Sequence, residues 1–219
     1  MTKLNLRELC LGYVTRLRYI KRFSVSHVQH IENVAEHSYY AALYCMLIGR
    51  QIPAVQIGLL LQKALIHDVD EAFSGDVIRM YHRDGGVLEA AVHARSKTMV
   101  SKFCDAVSTD PSDSAKLEQM WDTAKDPENL EGRILAYADF LSVLSYAAQE
   151  VDCGNRRILD HLSDIQEYAK QFTRDPAYAP ILAVVEGHDE LVEWLAQELL
   201  HRKGTNPCPT PPTTHSVVG

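Results

Sequence analysis

A helical period runs through almost the whole chain, and it limits the fold more than any other feature. Ile57, Leu60, Leu61, Ala64 and Leu65 recur at the i, i+3, i+4, i+7 spacing that lines up on one face of a helix. No run alternates apolar and polar residues between hairpin turns, as a half-buried strand does. The chain is therefore expected to be all-α. Its 219 residues can build one sizeable core but not two large ones, so a single helical bundle is expected over residues 1–203. From Gly204 onward four prolines and four threonines leave little that packs, and residues 204–219 read as a disordered tail.

Turn and capping residues mark the breaks. A first helix is expected over 5–18, with Leu6, Leu9, Val14 and Leu17 inward, followed by a basic loop. Asn33 and Glu36 have capping-box spacing and start a second helix, which runs until Pro53 forbids continuation. Pro53 itself suits the first turn of a third helix that leads into His67 and Asp68. After the Asp84-Gly85-Gly86 turn a fourth helix covers 87–106, and a shorter one surrounds Trp121. Asp126-Pro127 starts the next, with Asp139 in its middle and its end near Gly154; two more fit 155–172 and 181–202.

Charge and cysteine content set aside several classes. The longest apolar stretch, around residues 41–49, is far short of the roughly 20 residues that cross a bilayer. Lys3, Arg7 and Glu8 interrupt the N-terminal leucines, so neither a membrane span nor a signal peptide is expected. Five scattered cysteines without paired spacing suggest reduced thiols and a cytoplasmic setting. A net charge of −7 argues against wrapping a nucleic-acid polymer, which needs an extended basic surface. Residues 1–31 nevertheless carry +5 against −12 for the rest, which fits either a docking place for a small anion or the solvated face of an amphipathic helix.

The residues with chemical promise are His37, the adjacent pair His67-Asp68, and Asp139. Two imidazoles and two carboxylates form a mixed nitrogen and oxygen shell suited to a divalent transition ion such as Co, Mn, Zn, Ni or Fe. Helical neighbours point about 100° apart, so His67 and Asp68 reach one ion most easily where a helix ends, and the acid-rich segment after Asp68 supplies an end. Asp139 lies in the apolar run Ile134-Leu135-Ala136-Tyr137-Ala138-Asp139-Phe140-Leu141, where an unpaired carboxylate is costly to bury. It requires a cation, either a metal ion or a Lys or Arg side chain.

Four segments together resemble the HD-domain phosphohydrolases, and within them the YfbR-type 5'-deoxynucleotidases and the phage DatZ-type dATP triphosphohydrolases. They are Arg16-Leu17-Arg18-Tyr19-Ile20-Lys21-Arg22-Phe23, Glu32-Asn33-Val34-Ala35-Glu36-His37-Ser38, His67-Asp68-Val69-Asp70-Glu71-Ala72-Phe73-Ser74-Gly75-Asp76, and Ala136-Tyr137-Ala138-Asp139. The resemblance implies metal ligands at His37, His67, Asp68 and Asp139, a phosphate-binding arginine at Arg22, and catalytic acids at Glu71 and Asp76. It places Phe23 beside the sugar, where the YfbR type usually has tryptophan. The sequence departs from that type after Asp76, reading Val77-Ile78-Arg79-Met80-Tyr81-His82-Arg83 in place of prolines and a lysine.

The resemblance implies hydrolysis of the 5' phosphoester of a small 2'-deoxynucleotide at the α-phosphorus, in a homo-oligomer. Arg79, His82, Arg83, Arg95, Lys97 and Lys21 are basic groups that can meet a longer phosphate chain, which ranks dATP hydrolysis to deoxyadenosine and triphosphate above a dNMP 5'-nucleotidase. A nucleotide-sensing HD module without turnover, or a helical scaffold with a basic docking segment, would leave Glu71 and the full ligand set without a purpose.

Overall fold

The computed structural model describes residues 6–76, 87–108 and 110–205. Among them the backbone is helical with no strand, apart from an isolated antiparallel bridge between Lys21 and Asn33. No helix of the described part is long and apolar enough to cross a membrane.

The expected first helix is broken in two. Helix α1, Leu6–Leu11, stops at Gly12, whose extended backbone is followed by a 3₁₀ segment, Tyr13–Arg18. That changes the inward set: Leu17 is buried, whereas Val14 faces solvent. Helix α2, Val34–Gly49, begins as its capping box predicts, with Asn33 Oδ1 accepting from the Glu36 amide at 3.1 Å and Glu36 Oε2 accepting from the Asn33 amide at 3.0 Å. It ends at Gly49, four residues before Pro53, at the point where α2 meets the next helix. A Cβ there would lie 2.8 Å from Leu60 and 2.9 Å from Ile57.

That helix, α3, is Ile57–Ile66, so Pro53 sits in the preceding turn and not in its first turn as the sequence suggested. Leu60, Lys63 and Ala64 form its buried stripe, while Leu65 is exposed. The Lys63 ammonium is satisfied by the Thr123 carbonyl at 2.7 Å. A four-residue turn separates α3 from the single-turn α4, Glu71–Ser74. The Asp84-Gly85-Gly86 turn lies outside the described residues. Helix α5, Val87–Val107, pairs with α6, Pro111–Asp122, which is capped by Asp110.

Helix α7, Leu130–Asp152, is the axis of the bundle: α2 and α3 pack on one side and the C-terminal segments on the other. It starts three residues later than Asp126-Pro127 proposes. Asn129 is the cap, accepting from the Gly132 amide at 2.7 Å, and Asp126 braces that cap by accepting from Asn129 Nδ2 at 2.9 Å. Its end is a Schellman turn, with Gly154 at φ +87° and the Asn155 amide donating to the Glu150 carbonyl at 2.7 Å. Such a helix, apolar nearly all round, is buried nearly all round.

The last two expected helices are both divided. A 3₁₀ segment, Arg156–Leu162, precedes α8, Ile165–Arg174; a 3₁₀ turn, Pro176–Tyr178, leads into α9, Ala179–Leu182; and Gly187, at φ +81°, precedes α10, His188–Thr205. Gly204 and Thr205 thus belong to a helix and not to a tail, and the remainder of that segment lies outside the described residues. The main core joins α2, α3, α7, α8 and α10 around Tyr137, Phe140 and Phe172. A smaller one, Val69, Val100, Cys104 and Trp121, supports the turn after α3.

Candidate metal centre

Three helix positions bring the chemistry together. His37 lies in the first turns of α2, Asp139 in the middle of α7, and His67 and Asp68 in the turn that ends α3. Because the helix stops at Ile66, two adjacent side chains converge: His67 Nε2 and Asp68 Oδ2 are 3.0 Å apart. His37 Nε2 is 3.3 Å from the same Asp68 oxygen and 2.9 Å from Asp139 Oδ1. The ligand atoms of His37, His67 and Asp139 all lie within 4.8 Å of one another, and all three residues are buried.

The far nitrogens of both rings are held. His67 Nδ1 donates to the Ala64 carbonyl at 2.7 Å, and His37 Nδ1 lies 2.5 Å from Ser142 Oγ. A proton on Nδ1 leaves each Nε2 with a lone pair directed at the carboxylates. Both Nε2 atoms are buried with carboxylate oxygens 2.9–3.3 Å away but no well-formed hydrogen bond to them, and a cation among these atoms would satisfy nitrogen and oxygen lone pairs together. The residues fit a divalent ion: two neutral imidazole nitrogens and two carboxylates face one small volume.

Cations already stand around it. Lys125 Nζ is 2.8 Å from Asp139 Oδ2 and 3.8 Å from Asp68 Oδ1. Arg22 Nη1 is 3.9 Å from Asp68 Oδ2, and Arg22 Nε is 3.2 Å from Glu32. Burial opposes ionisation of Asp68 and Asp139. Yet His67, Lys125 and His37 hold Asp68 well below the usual carboxylate range, and Lys125 with His37 does the same for Asp139. Glu71, at the start of α4, behaves in the opposite way. Burial, and then the charges of Asp68 and Asp76, push its carboxyl up to about 10. Asp76 follows the turn at Gly75, near enough to act on both Glu71 and Arg22.

Phe23 has a positive φ of 52°, which places a non-glycine residue in the left-handed region. Its ring stacks on Tyr146 at 5.0 Å and 7°, with the Arg22 guanidinium carbon 5.7 Å from its centroid. The structure thus brings His37, His67, Asp68, Asp139, Arg22 and Glu71 into one cluster with Asp76 and Phe23 at its edge. Of the basic residues expected to meet a phosphate chain, Lys97 is paired with Asp122 at 3.1 Å, and Arg79, His82 and Arg83 lie outside the described residues.

Sequence reasoning missed Lys125, Ser142 and Glu32. Ser142 was detectable in principle, since it lies one turn beyond Asp139 on the same helix face. For Lys125 the sequence supplied only the demand, a cation for a buried Asp139, and not the residue that meets it.

The HD-domain family model matches residues 14–177, and the chain belongs to that family. No curated protein matches the sequence. Among solved structures, an HD-domain phosphohydrolase from Listeria innocua is 22% identical with a TM-score of 0.62, covering 89% of this chain and 98% of that one. A predicted metal-dependent phosphohydrolase from Magnetospirillum magnetotacticum is 20% identical with a TM-score of 0.57, over 86% and 92%. The HD phosphohydrolase DatZ of cyanophage S-2L, bound to dA and one catalytic zinc ion, is 15% identical with a TM-score of 0.54, over 86% and 95%. At these identities the likeness is one of fold.

Proposed function

We propose that the protein hydrolyses the 5' phosphoester of 2'-deoxynucleotides at the α-phosphorus, as a dATP triphosphohydrolase that releases deoxyadenosine and triphosphate. The observation that carries the reading is the convergence of two inward-facing imidazole nitrogens and two carboxylates beside Arg22 and Glu71. His37, His67, Asp68 and Asp139 would hold the ion, which would supply charge neutralisation at the phosphate and a lowered pKa for bound water. The planar guanidinium of Arg22 grips a phosphate oxygen pair and fixes its orientation. Glu71 aims the attacking water in line and takes its proton. Asp76 protonates the departing 5' oxygen or holds the sugar hydroxyl.

Water adds its oxygen to phosphorus as the bond to the 5' oxygen breaks, so one attack releases a nucleoside whatever the length of the phosphate chain. A 5'-deoxynucleotidase acting on dNMP shares every residue above and is the second reading; the basic segment after Asp76 favours the triphosphate. Phe23 offers no hydrogen bond to a 2'-hydroxyl, so a ribose loses water contacts there without replacement, a cost of about 1–3 kcal/mol. We expect a cytoplasmic homo-oligomer.

The deciding experiment is a panel of deoxy- and ribonucleotides incubated with metal-loaded protein, the products being resolved by phosphorus NMR. The reading requires nucleoside and intact tripolyphosphate from dATP, about tenfold or greater preference over ATP, and loss of turnover on chelation or in Asp68→Ala. Sequential release of orthophosphate through a diphosphate would refute attack at the α-phosphorus. Equal rates on dATP and ATP would defeat the sugar assignment.

A further inference from the structure

Lys125 lies in the loop between α6 and α7, outside every segment that carries the family resemblance. It and Arg22 approach Asp68 through different oxygens, Lys125 at Oδ1 and Arg22 at Oδ2. Their surroundings differ. The Arg22 side chain is 11% exposed and paired with Glu32. The Lys125 side chain is 36% exposed, and among the described residues its carboxylate partners are the two candidate metal ligands, Asp139 and Asp68.

Charge counting then separates the two cations. Without an ion, Lys125 balances part of the Asp68 and Asp139 charge. A divalent ion would match those two charges by itself. Arg22 would stay paired with Glu32, and the Lys125 ammonium, with no further carboxylate partner among the described residues, would be left at the open rim to meet an anion. An ammonium has three donors; one stays on Asp139 Oδ2, leaving two for an oxygen-rich anion.

We propose that Lys125 is a phosphate-binding residue of the metal-loaded centre, gripping the substrate phosphate from the rim while Arg22 grips it from the buried side. The proposal rests on the reading of the centre as a phosphohydrolase site. It assigns to a loop lysine a role that the sequence sought in the basic residues after Asp76.

The test measures binding of inorganic orthophosphate to metal-loaded wild type, Lys125→Gln and Lys125→Arg by calorimetry, with metal content determined in parallel. Lys125→Gln should weaken orthophosphate binding about tenfold with wild-type metal content, and Lys125→Arg should restore most of it. Lys125→Met serves if the Gln variant does not fold. A lysine that merely orients Asp139 would give the reverse pattern, reduced metal content with unaltered orthophosphate affinity once loaded, and that result overturns the proposal. The two ideas fail separately. If wild type turns over no deoxynucleotide but Lys125→Gln loses orthophosphate, the substrate reading falls and the lysine stands. If turnover is present and orthophosphate affinity is unchanged in Lys125→Gln, the lysine falls.

Discussion

Ser142 Oγ lies 2.5 Å from Nδ1 of His37, on the same face of α7 that presents Asp139 to the Nε2 of that ring. One turn of one helix therefore fixes both sides of the imidazole. With Nε2 turned to an ion, the hydroxyl would accept a hydrogen bond from Nδ1–H and so keep the Nε2 lone pair inward. Ser142→Ala should leave the fold intact and weaken metal binding about tenfold or more, measured by competition with a chromogenic chelator. Unchanged affinity would show that packing alone orients the ring.

Proton release should accompany metal binding. Burial, Asp68 and Asp76 push Glu71 up to about 10, so its carboxyl keeps a proton near neutral pH in the metal-free protein. Between the ordinary carboxyl value of 4.5 and about 10 the fold binds more protons than the unfolded chain, and its metal-free stability falls as pH rises through that window. His37 has the same sign. Burial and Arg22 oppose its charge, but Asp139 and Asp68 outweigh them and raise its pKa. A bound cation takes over the role of those protons, so apparent metal affinity should rise with pH. Calorimetry in buffers of different ionisation enthalpy should register protons released per ion bound. A count of zero at pH 8 would contradict the electrostatic picture.

Much of this was legible in the sequence because each signal was local. The Asn33-Glu36 box sets the start of α2 and hence His37, and the acid-rich turn after Asp68 foretold the helix end that lets neighbours converge. Helix starts and breaks were less legible where tertiary contacts chose between close competitors. Asp126-Pro127 has the right chemistry for a start, yet Asn129 three residues on takes the cap and leaves Asp126 to brace it. Gly12 and Gly187 divide stretches whose apolar spacing continues across them. Lys125 could not be placed from spacing, since only the fold brings its loop to Asp139.

The same loop makes Gly132 irreplaceable. A Cβ there would lie 2.1 Å from the Asp126 carbonyl oxygen and 2.7 Å from its nitrogen, so Gly132→Ala must push residue 126, and with it Lys125, away from α7. Urea denaturation should show a loss of about 1–3 kcal/mol, and orthophosphate binding should weaken along with stability. A variant as stable as wild type would mean that the loop shifts freely.

Glu150, two turns beyond Ser142 and 2% exposed, fastens the segment that carries Arg22 and Phe23. Its carboxylate accepts from the Gln29 amide at 2.8 Å, the His30 amide at 2.8 Å and Asn155 Nδ2 at 2.5 Å. Tyr146, whose ring stacks on Phe23, donates its hydroxyl to the His30 carbonyl at 2.5 Å. The segment then returns through Arg22 N donating to the Glu32 carbonyl at 3.0 Å. Besides the Lys21–Asn33 bridge and the Phe23–Ser26 turn it has no regular structure among the described residues, so much of its shape depends on these fastenings. Orphaning two amides costs about 1–3 kcal/mol each when they stay buried, but Gln29 and His30 are surface residues that water can reach, so Glu150→Ala should lose about 1–2 kcal/mol. The functional effect should be larger, because Arg22 must be held in one place to orient a phosphate. Expected are faster hydrogen exchange at residues 29–34, a kcat/KM lowered about tenfold or more, and little further loss when Glu150→Ala is combined with Arg22→Ala. Burial opposes ionisation of Glu150, but the amides and Asn155 lower its pKa. The clamp therefore contributes stability above pH 4.5 that is lost as pH falls through the depressed folded value, and the protection of amides 29–34 relative to their intrinsic exchange rates should fall at acid pH in wild type and not in Glu150→Gln. Multiplicative losses in the double variant, with exchange at 29–34 unaltered, would mean that Glu150 acts on overall stability and not through Arg22.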